Sequence, residues 1–249
     1  MNITFLGTNG WYDTATGNTV CILLRTAEQD IILDAGNGFS KVDDHCAGTT
    51  ARTGYLFLSH FHLDHVQGLH MLSKLRSFSR LVIAGPAGTR TVLNTLVNSP
   101  FTAPLDTLPY PVTVLELPEE TASLPFSIEA LPLNHAGLTL GYRFEAEGKT
   151  VAYCPDTGYC ENAVRLGRNA DLLITECAYR SGEEHPDWPH LNPETAARIA
   201  REAGAKRLVL THFDASRYPA LEDRTRAETA ARKVFDRVTA LTDALTLTV

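Results

Sequence analysis

The chain lacks a disulfide framework. Its five cysteines, Cys21, Cys46, Cys154, Cys160 and Cys177, contain no CxxC pair, are odd in number and fall at irregular spacing. That usage favours a reducing compartment. No apolar run approaches the roughly 20 residues of a membrane span. The opening MNITFLGTNG has no basic segment followed by a long apolar stretch, so it does not read as a secretory leader. These absences lead us to expect a cytoplasmic protein with no membrane partner. Positive charge is also short: the formal net charge is −7. Such a surface repels phosphate backbones unless a local patch or bound cations reverse the field. That counts against a general nucleic-acid binder and leaves room for a small phosphorylated substrate at a metal. Low-complexity tracts, internal repeats and obvious linkers are missing too. We therefore read residues 1–249 as one domain, long enough to bury a core unaided.

What the chain does have is a series of short apolar runs separated by turn residues. Ile3–Leu6, Thr19–Leu24, Asp30–Leu33, Tyr55–Leu58, Leu81–Ala84 and Val112–Leu117 occupy the first half. Phe126–Leu133, Leu140–Phe144, Thr150–Tyr153, Leu172–Ile174, Leu208–Leu210 and Leu245–Val249 follow. Their length and β-branched content predict strands. The clearest helix is Pro193–Ala203, with Asn192 as N-cap, Pro193 at the first position and Gly204 as the stop. Further helices are predicted at Ala87–Val97, Glu161–Leu166 and roughly Arg224–Thr239. Strand series with helices between them, in both halves, give an α/β or α+β protein.

One strand is followed by an unusual turn. In YLFLSHFHLDH, residues 55–65, His60, His62, Asp64 and His65 occupy six consecutive positions directly after an apolar run. Imidazole and carboxylate are good ligands for zinc, manganese and iron. Two alternating histidines can grip one ion. Asp64 and His65, where a helix can begin at about Leu63, can grip a second. Three more such groups sit at strand exits: His135 in LPLNH, Asp156 in VAYCPDTG and His212 in RLVLTHF. Each alone reads equally well as a turn or loop residue. Together, seven ligand-type groups suffice for two metals if Asp156 bridges them.

This set, SHFHLDH, His135, CPDTG and LTHF, resembles the metallo-β-lactamase superfamily of binuclear hydrolases, from about Ile3 to His212. The resemblance implies an αββα sandwich, two mixed β-sheets face to face with helices outside and the site at one edge. It implies that His60, His62 and His135 bind one metal, that Asp64, His65 and His212 bind the other, and that Asp156 bridges. Asp64 would also orient the metal-bridging hydroxide that attacks, and so is expected to be catalytic. ILDAG, residues 32–36, resembles the family's early aspartate motif, whose carboxylate supports the histidine loop; a plain turn aspartate is the alternative for Asp34.

Within the superfamily, His62 stands where an oxygen-reducing di-iron branch typically has Glu, which disfavours redox chemistry. Asp156 stands where true β-lactamases usually lack a bridging aspartate, which points to phosphodiesters or esters. PHLNPETAARIAREAG, residues 189–204, is similar to the tRNA-processing ribonucleases, the tRNase Z-like branch. It makes His190, just before the capped helix, the candidate proton donor to the leaving oxygen. Those enzymes typically carry a long tRNA arm, for which this chain offers no segment. DHVQGL at 64–69 and LPLNHAGLTLGYRFE at 131–145 resemble the small cyclic-phosphodiesterase branch of phosphonate breakdown. That branch has a cysteine-rich N-terminal segment for a structural zinc; here only Cys21 is available, so no third zinc is expected.

The resulting expectation is a hydrolase with two divalent ions, zinc or manganese first and iron also accommodated. It would act on small, including cyclic, phosphodiesters and on no long nucleic acid, and it could be a homodimer. A lactonase or thioester hydrolase on the same metals, and a non-catalytic metal or cofactor carrier, are the alternatives. His185 and His190 flank PDWP, a loop that is either a pocket wall or a surface turn. His45 and His70 read as ordinary. Asn9 and Asn134 could donate into the site or simply shape turns, and Cys154 reads as a buried thiol.

Overall fold

The computed structural model describes residues 1–46 and 52–249. Among these described residues, fifteen strands run in chain order as β1 (Asn2–Gly7), β2 (Asn9–Gly10), β3 (Cys21–Arg25), β4 (Asp30–Leu33), β5 (Thr53–Phe57), β6 (Arg80–Pro86), β7 (Val112–Leu117), β8 (Ile128–Pro132), β9 (Leu140–Ala146), β10 (Lys149–Cys154), β11 (Leu172–Glu176), β12 (Leu208–Thr211), β13 (Phe213–Asp214), β14 (Val238–Ala240) and β15 (Thr246–Thr248). One sheet has the order β15-β1-β3-β4-β5-β6-β7, the other β14-β12-β11-β10-β9-β8. Both are mixed: β4 to β7 and β10, β11, β12, β14 run parallel, and the remaining neighbours antiparallel. A short parallel ladder, β2 with β13, ties the segment after β1 to the segment after β12.

The strands read as continuous apolar runs because both of their faces are buried. Side chains alternate across a strand, so one run feeds two cores. Ile22, Leu24, Ile31 and Leu33 point between the sheets, where they meet Tyr142, Phe144, Val151 and Ile174. Leu23 and Ile32 point the other way, under Phe39, Val42, Leu69 and Leu93. On the second sheet Ala152, Leu173 and Leu210 face outward onto Ala163, Ile199 and Ala227. The inter-sheet core is anchored by Phe57, fully buried, with ring centroids 5.3 Å from Tyr142 and 5.1 Å from Phe144. Burying one such ring contributes about 1.5–3 kcal/mol.

Helices cover the outer faces. They include α1 (Val42–Cys46), α2 (Leu63–Val66), α3 (Thr89–Leu96), α4 (Glu161–Leu166), α5 (Pro193–Ala203) and α6 (Leu221–Ala231). α5 has the predicted bounds. Asn192 accepts from the Thr195 N–H, Thr195 returns a bond to the Asn192 backbone, and Gly204 takes φ 65° after the last turn. The helix predicted at Arg224–Thr239 is wrong at both ends. It starts at Leu221, stops at Ala231, and Val238–Ala240 forms an edge strand parallel to β12. No glycine or proline marks the stop. The open edge of β12 offers backbone partners to β-branched Val238 and Thr239, and that pairing overrides the helical pattern. The helical stretch Asn37–Cys46 was not predicted at all.

The two sheets present their exits on one edge. Strands β4, β5, β8, β10, β11 and β12 all deliver chain to that edge at their carboxyl ends, where α/β folds place ligands.

Candidate metal centre

His60 follows β5 and lies in a loop held from both sides. The Leu140 N–H donates to Ser59 O at 2.9 Å, and the Tyr142 hydroxyl donates to Leu58 O at 2.6 Å. The next turn carries His62 and begins α2 at Leu63, so Asp64 and His65 share the first turn of a helix. His135 comes from the exit of β8, Asp156 from that of β10 and His212 from that of β12. All seven predicted ligand residues converge. His60, His62, His135 and Asp156 form one cluster and Asp64, His65 and His212 a second, each with its ligand atoms within 4.8 Å of one another.

Asp156 stands between the two. Its Oδ1 lies 3.1 Å from His65 Nε2 and 3.3 Å from His212 Nε2; its Oδ2 lies 3.9 Å from both His60 Nε2 and His135 Nε2. Asp64 Oδ2 is 3.2 Å from His212 Nε2.

The imidazoles are held from behind. His65 Nδ1 is 2.9 Å from Asp34 Oδ2, His60 Nδ1 is 3.0 Å from Ser59 Oγ, and His135 Nδ1 is 3.3 Å from Pro189 O. With those nitrogens donating, each Nε2 turns a lone pair into the site. Such lone pairs repel unless a cation lies between them. Yet His65 Nε2 and His212 Nε2 are 3.1 Å apart, and His135 Nε2 and His62 Nδ1 are 3.3 Å apart. His60 Nε2 and Asp156 Oδ1 are buried without a hydrogen bond. Buried polar atoms left unpaired are rare, and this donor set fits divalent cations. Burial presses His60 well below its ordinary pKa, which keeps the imidazole neutral, the form that can bind a cation. Burial, the largest single influence, pulls His65 and His212 down, but the carboxylates around them, Asp156 foremost and Asp64 with it, together outweigh it and raise both. A cation meets that same field.

Asp34 is the support that the sequence suggested. Its Oδ1 accepts from the Ser59 N–H at 2.7 Å. Its Oδ2 accepts from the Ser59 hydroxyl at 2.9 Å, the Tyr153 hydroxyl at 2.7 Å and His65. Asp34, Trp11 and His212 adopt φ of 59°, 70° and 50°. Left-handed backbone in such residues costs roughly 1–3 kcal/mol each and clusters at functional sites. At Trp11 it aims the backbone N–H at Asp64 Oδ2, 2.7 Å away. Gly10 is required for a different reason: a Cβ there would sit 2.6 Å from His212 Cε1.

His190 precedes α5 and stacks over His212 at 6.3 Å between centroids. It is outside both ligand clusters. Its Nδ1 is 2.6 Å from Glu176 Oε1. Burial lowers His190, but the Glu176 carboxylate outweighs it and lifts the pKa to about 9. Glu176 was missed from sequence. It is fully buried at the end of β11 and also accepts from the Thr157 and Ala178 N–H groups at 2.7 and 2.9 Å. LLITE has the same layout as the other site segments, a strand ending in a polar group, and could have revealed it. His185 points elsewhere, against the Tyr179 ring, whereas Trp188 of the same loop lines the cavity over the ligands. Asn9 shapes a turn, donating to Tyr12 O and Gly17 O at 3.2 and 2.9 Å. The Cys154 thiol is buried and faces Ala163 O.

Residues 30–213 match the beta-lactamase superfamily domain. The chain belongs to the beta-lactamase superfamily. It is a metal-dependent hydrolase of that superfamily, and its histidine–aspartate clusters are of the kind that hold divalent ions. A relative named ribonuclease Z, from Bacillus licheniformis, is 27% identical over 276 aligned residues, covering 86% of this chain and 89% of that protein. That alignment is longer than the whole 249-residue chain, so the relative contains segments absent here. The fold is shared with human tRNase Z, short form (TM-score 0.77, 23% identity, 100% of this chain and 99% of that one). It is also shared with a diphosphatase of the PhnP family (TM-score 0.73, 18% identity, 100% and 97%). The superfamily and the tRNase Z-like branch that the motifs suggested therefore agree with the comparisons. No helix among the described residues is long and apolar enough to cross a membrane.

Proposed function

We propose that the chain is a binuclear phosphodiesterase for small phosphodiesters, cyclic ones included. The observation that carries this reading is the division of Asp156: one carboxylate oxygen faces His65 and His212, the other faces His60 and His135. In this reading His60, His62 and His135 hold one divalent ion, Asp64, His65 and His212 hold the other, and Asp156 joins them. Two ions so held supply a water of lowered pKa and share the charge that grows on phosphate oxygens. Zinc and manganese suit this thiolate-free set best, and iron is accommodated.

The protein's own groups do the rest. Asp64 accepts a hydrogen bond from the attacking water and is fixed by the Trp11 N–H behind it. His190 gives a proton to the departing alkoxide, and Glu176 keeps that imidazole protonated and aimed. Asp34 holds His65 and the Ser59 turn. The site draws residues from both sheets, so residues 1–249 act as one unit. The odd number and irregular spacing of the cysteines suit the reducing cytoplasm.

The name of the ribonuclease Z relative supports a phosphodiester over a lactone or thioester. The net charge of −7 and the segments absent relative to that protein favour a small substrate over tRNA. The test is turnover of bis(p-nitrophenyl) phosphate by protein loaded with zinc or manganese, alongside a lactone, a thioester and a tRNA precursor. Phosphodiester turnover without precursor cleavage is expected. Turnover of the lactone or thioester alone overturns the reaction class, efficient precursor cleavage overturns the small substrate, and no turnover with both metals bound leaves a carrier.

A further inference from the structure

The chain has two tryptophans, and both stand at the mouth of the metal centre. Trp11 is 54% exposed and Trp188 is 37% exposed. Their ring centroids are 6.3 Å apart at an interplanar angle of 23°. Trp188 in turn lies almost parallel to the His62 ring, at 5.8 Å and 14°. Indoles are highly buried on average, and neighbouring exposed ones mark a binding surface.

Neither ring is on a loose segment. The Tyr179 hydroxyl donates to Trp188 O, and the Trp188 N–H donates to His185 O at 3.1 Å, with Pro186 and Pro189 stiffening the turn. Trp11 is held in its left-handed backbone conformation by the bond to Asp64. A planar ring sandwiched between two others needs about 7 Å between the outer planes, twice the 3.5 Å carbon contact. The 6.3 Å between centroids sets an upper limit on the present gap, so the two indoles must part by at least several tenths of an ångström to admit a ring.

The tryptophans border two cavities. One, of about 380 Å³, lies over Asp64, Asp156 and His212. The other, of about 330 Å³, opens beyond His190 and is walled by Tyr12 and Tyr179. Trp11, Trp188 and His190 line both. The second cavity thus adjoins the proton donor without touching the ligand-type residues, which leaves room there for a departing alcohol. Its size and aromatic lining suit a drug-sized planar group.

We infer that Trp11 and Trp188 form a stacking clamp for the flat base of a nucleoside leaving group. This rests on the phosphodiesterase reading and narrows its substrate to phosphodiesters whose departing alcohol is a nucleoside. Stacking on aromatics is sequence-tolerant, because every base has a π-face, so the clamp selects a base over no base rather than one base over another.

Adenosine 5′-phosphate and ribose 5-phosphate differ only by the base and are the probes. Each is titrated into metal-loaded protein, following tryptophan fluorescence excited beyond the adenine band, and is separately tested as an inhibitor of bis(p-nitrophenyl) phosphate hydrolysis. Adenosine 5′-phosphate should bind about 5- to 100-fold more tightly, the range that base stacking supplies, and should quench fluorescence. Trp188→Ala and Trp11→Ala should each shrink that ratio, and Trp188→Phe should retain most of it. The single remaining tryptophan in each variant reports binding without reference to activity. Equal affinities, or a ratio that survives loss of both indoles, overturns the clamp. If neither phosphate competes and no diester is turned over, the phosphodiesterase reading fails first and takes the clamp with it.

Discussion

Asp34 Oδ2 is 2.9 Å from His65 Nδ1, on the side of the imidazole facing away from the metal centre. The same oxygen accepts from Ser59 and Tyr153, so three donors converge on one atom. Asp34→Asn puts an amide there that either turns its NH2 on these three donors or keeps its oxygen for them and turns its NH2 on the Ser59 N–H that Oδ1 now accepts. Metal affinity should fall about 10- to 100-fold, as it does when a ligand histidine loses its partner. Competition with a chromogenic chelator measures this; an unchanged affinity would show that His65 needs no support.

Asp156→Ala removes the carboxylate whose one oxygen faces His65 and His212 and whose other faces His60 and His135. Elemental analysis should find both sites depleted and hydrolysis lost with them. A variant retaining two ions and full turnover would mean that Asp156 does not join the sites.

His190→Ala should keep both metals. Cleavage of an alkyl phosphodiester should slow by about 10²- to 10⁴-fold, and that of a nitrophenyl diester far less, since nitrophenolate departs without a proton. Equal losses would point to substrate positioning. With Glu176 lifting His190 to about 9, activity on the alkyl diester should fall only as pH rises past that value. Glu176→Gln should move this limb to lower pH, and adding it to His190→Ala should cost little more.

Gly10→Ala tests the close approach of backbone to ligand. The new methyl would press on His212. The Asp64–His65–His212 cluster should lose its ion while His60, His62 and His135 keep theirs. Metal content near one per chain is the expected result, and two per chain refutes the argument.

Arg224 is buried behind the site. It donates to Thr8 Oγ1 at 2.7 Å, to Leu241 O at 2.8 Å and to Asn9 Oδ1, and lies 4.7 Å over the Phe213 ring. Arg224→Met strands these acceptors, at about 1–3 kcal/mol for each. Urea unfolding should show a midpoint shifted down without a change of slope. An unchanged midpoint would mean that water replaces the guanidinium.

The convergence of the seven ligand-type residues was legible because each follows closely on an apolar strand, and a strand ending in a polar group is a local pattern. Asp34 was half legible: a turn aspartate and a supporting carboxylate look alike until Tyr153, 119 residues away, is seen to donate to it. Glu176 obeyed the same pattern but is not needed as a ligand, so ligand counting passed over it. The β2–β13 ladder and the edge strand Val238–Ala240 were invisible because partner backbones, not their own side chains, create them. Trp11 carried no signal at all, since its role comes from a positive φ in a turn.

The ladder that joins Asn9 and Gly10 to Phe213 and Asp214 has a consequence for synthesis on the ribosome. His65 and His212 meet across 147 positions of sequence. A nascent chain can present SHFHLDH early, but the second cluster is incomplete until β12 and β13 have emerged and docked against β2. Long-range closure of this kind is slow. The Asp64–His65–His212 cluster therefore cannot assemble until the last fifth of the chain has been made.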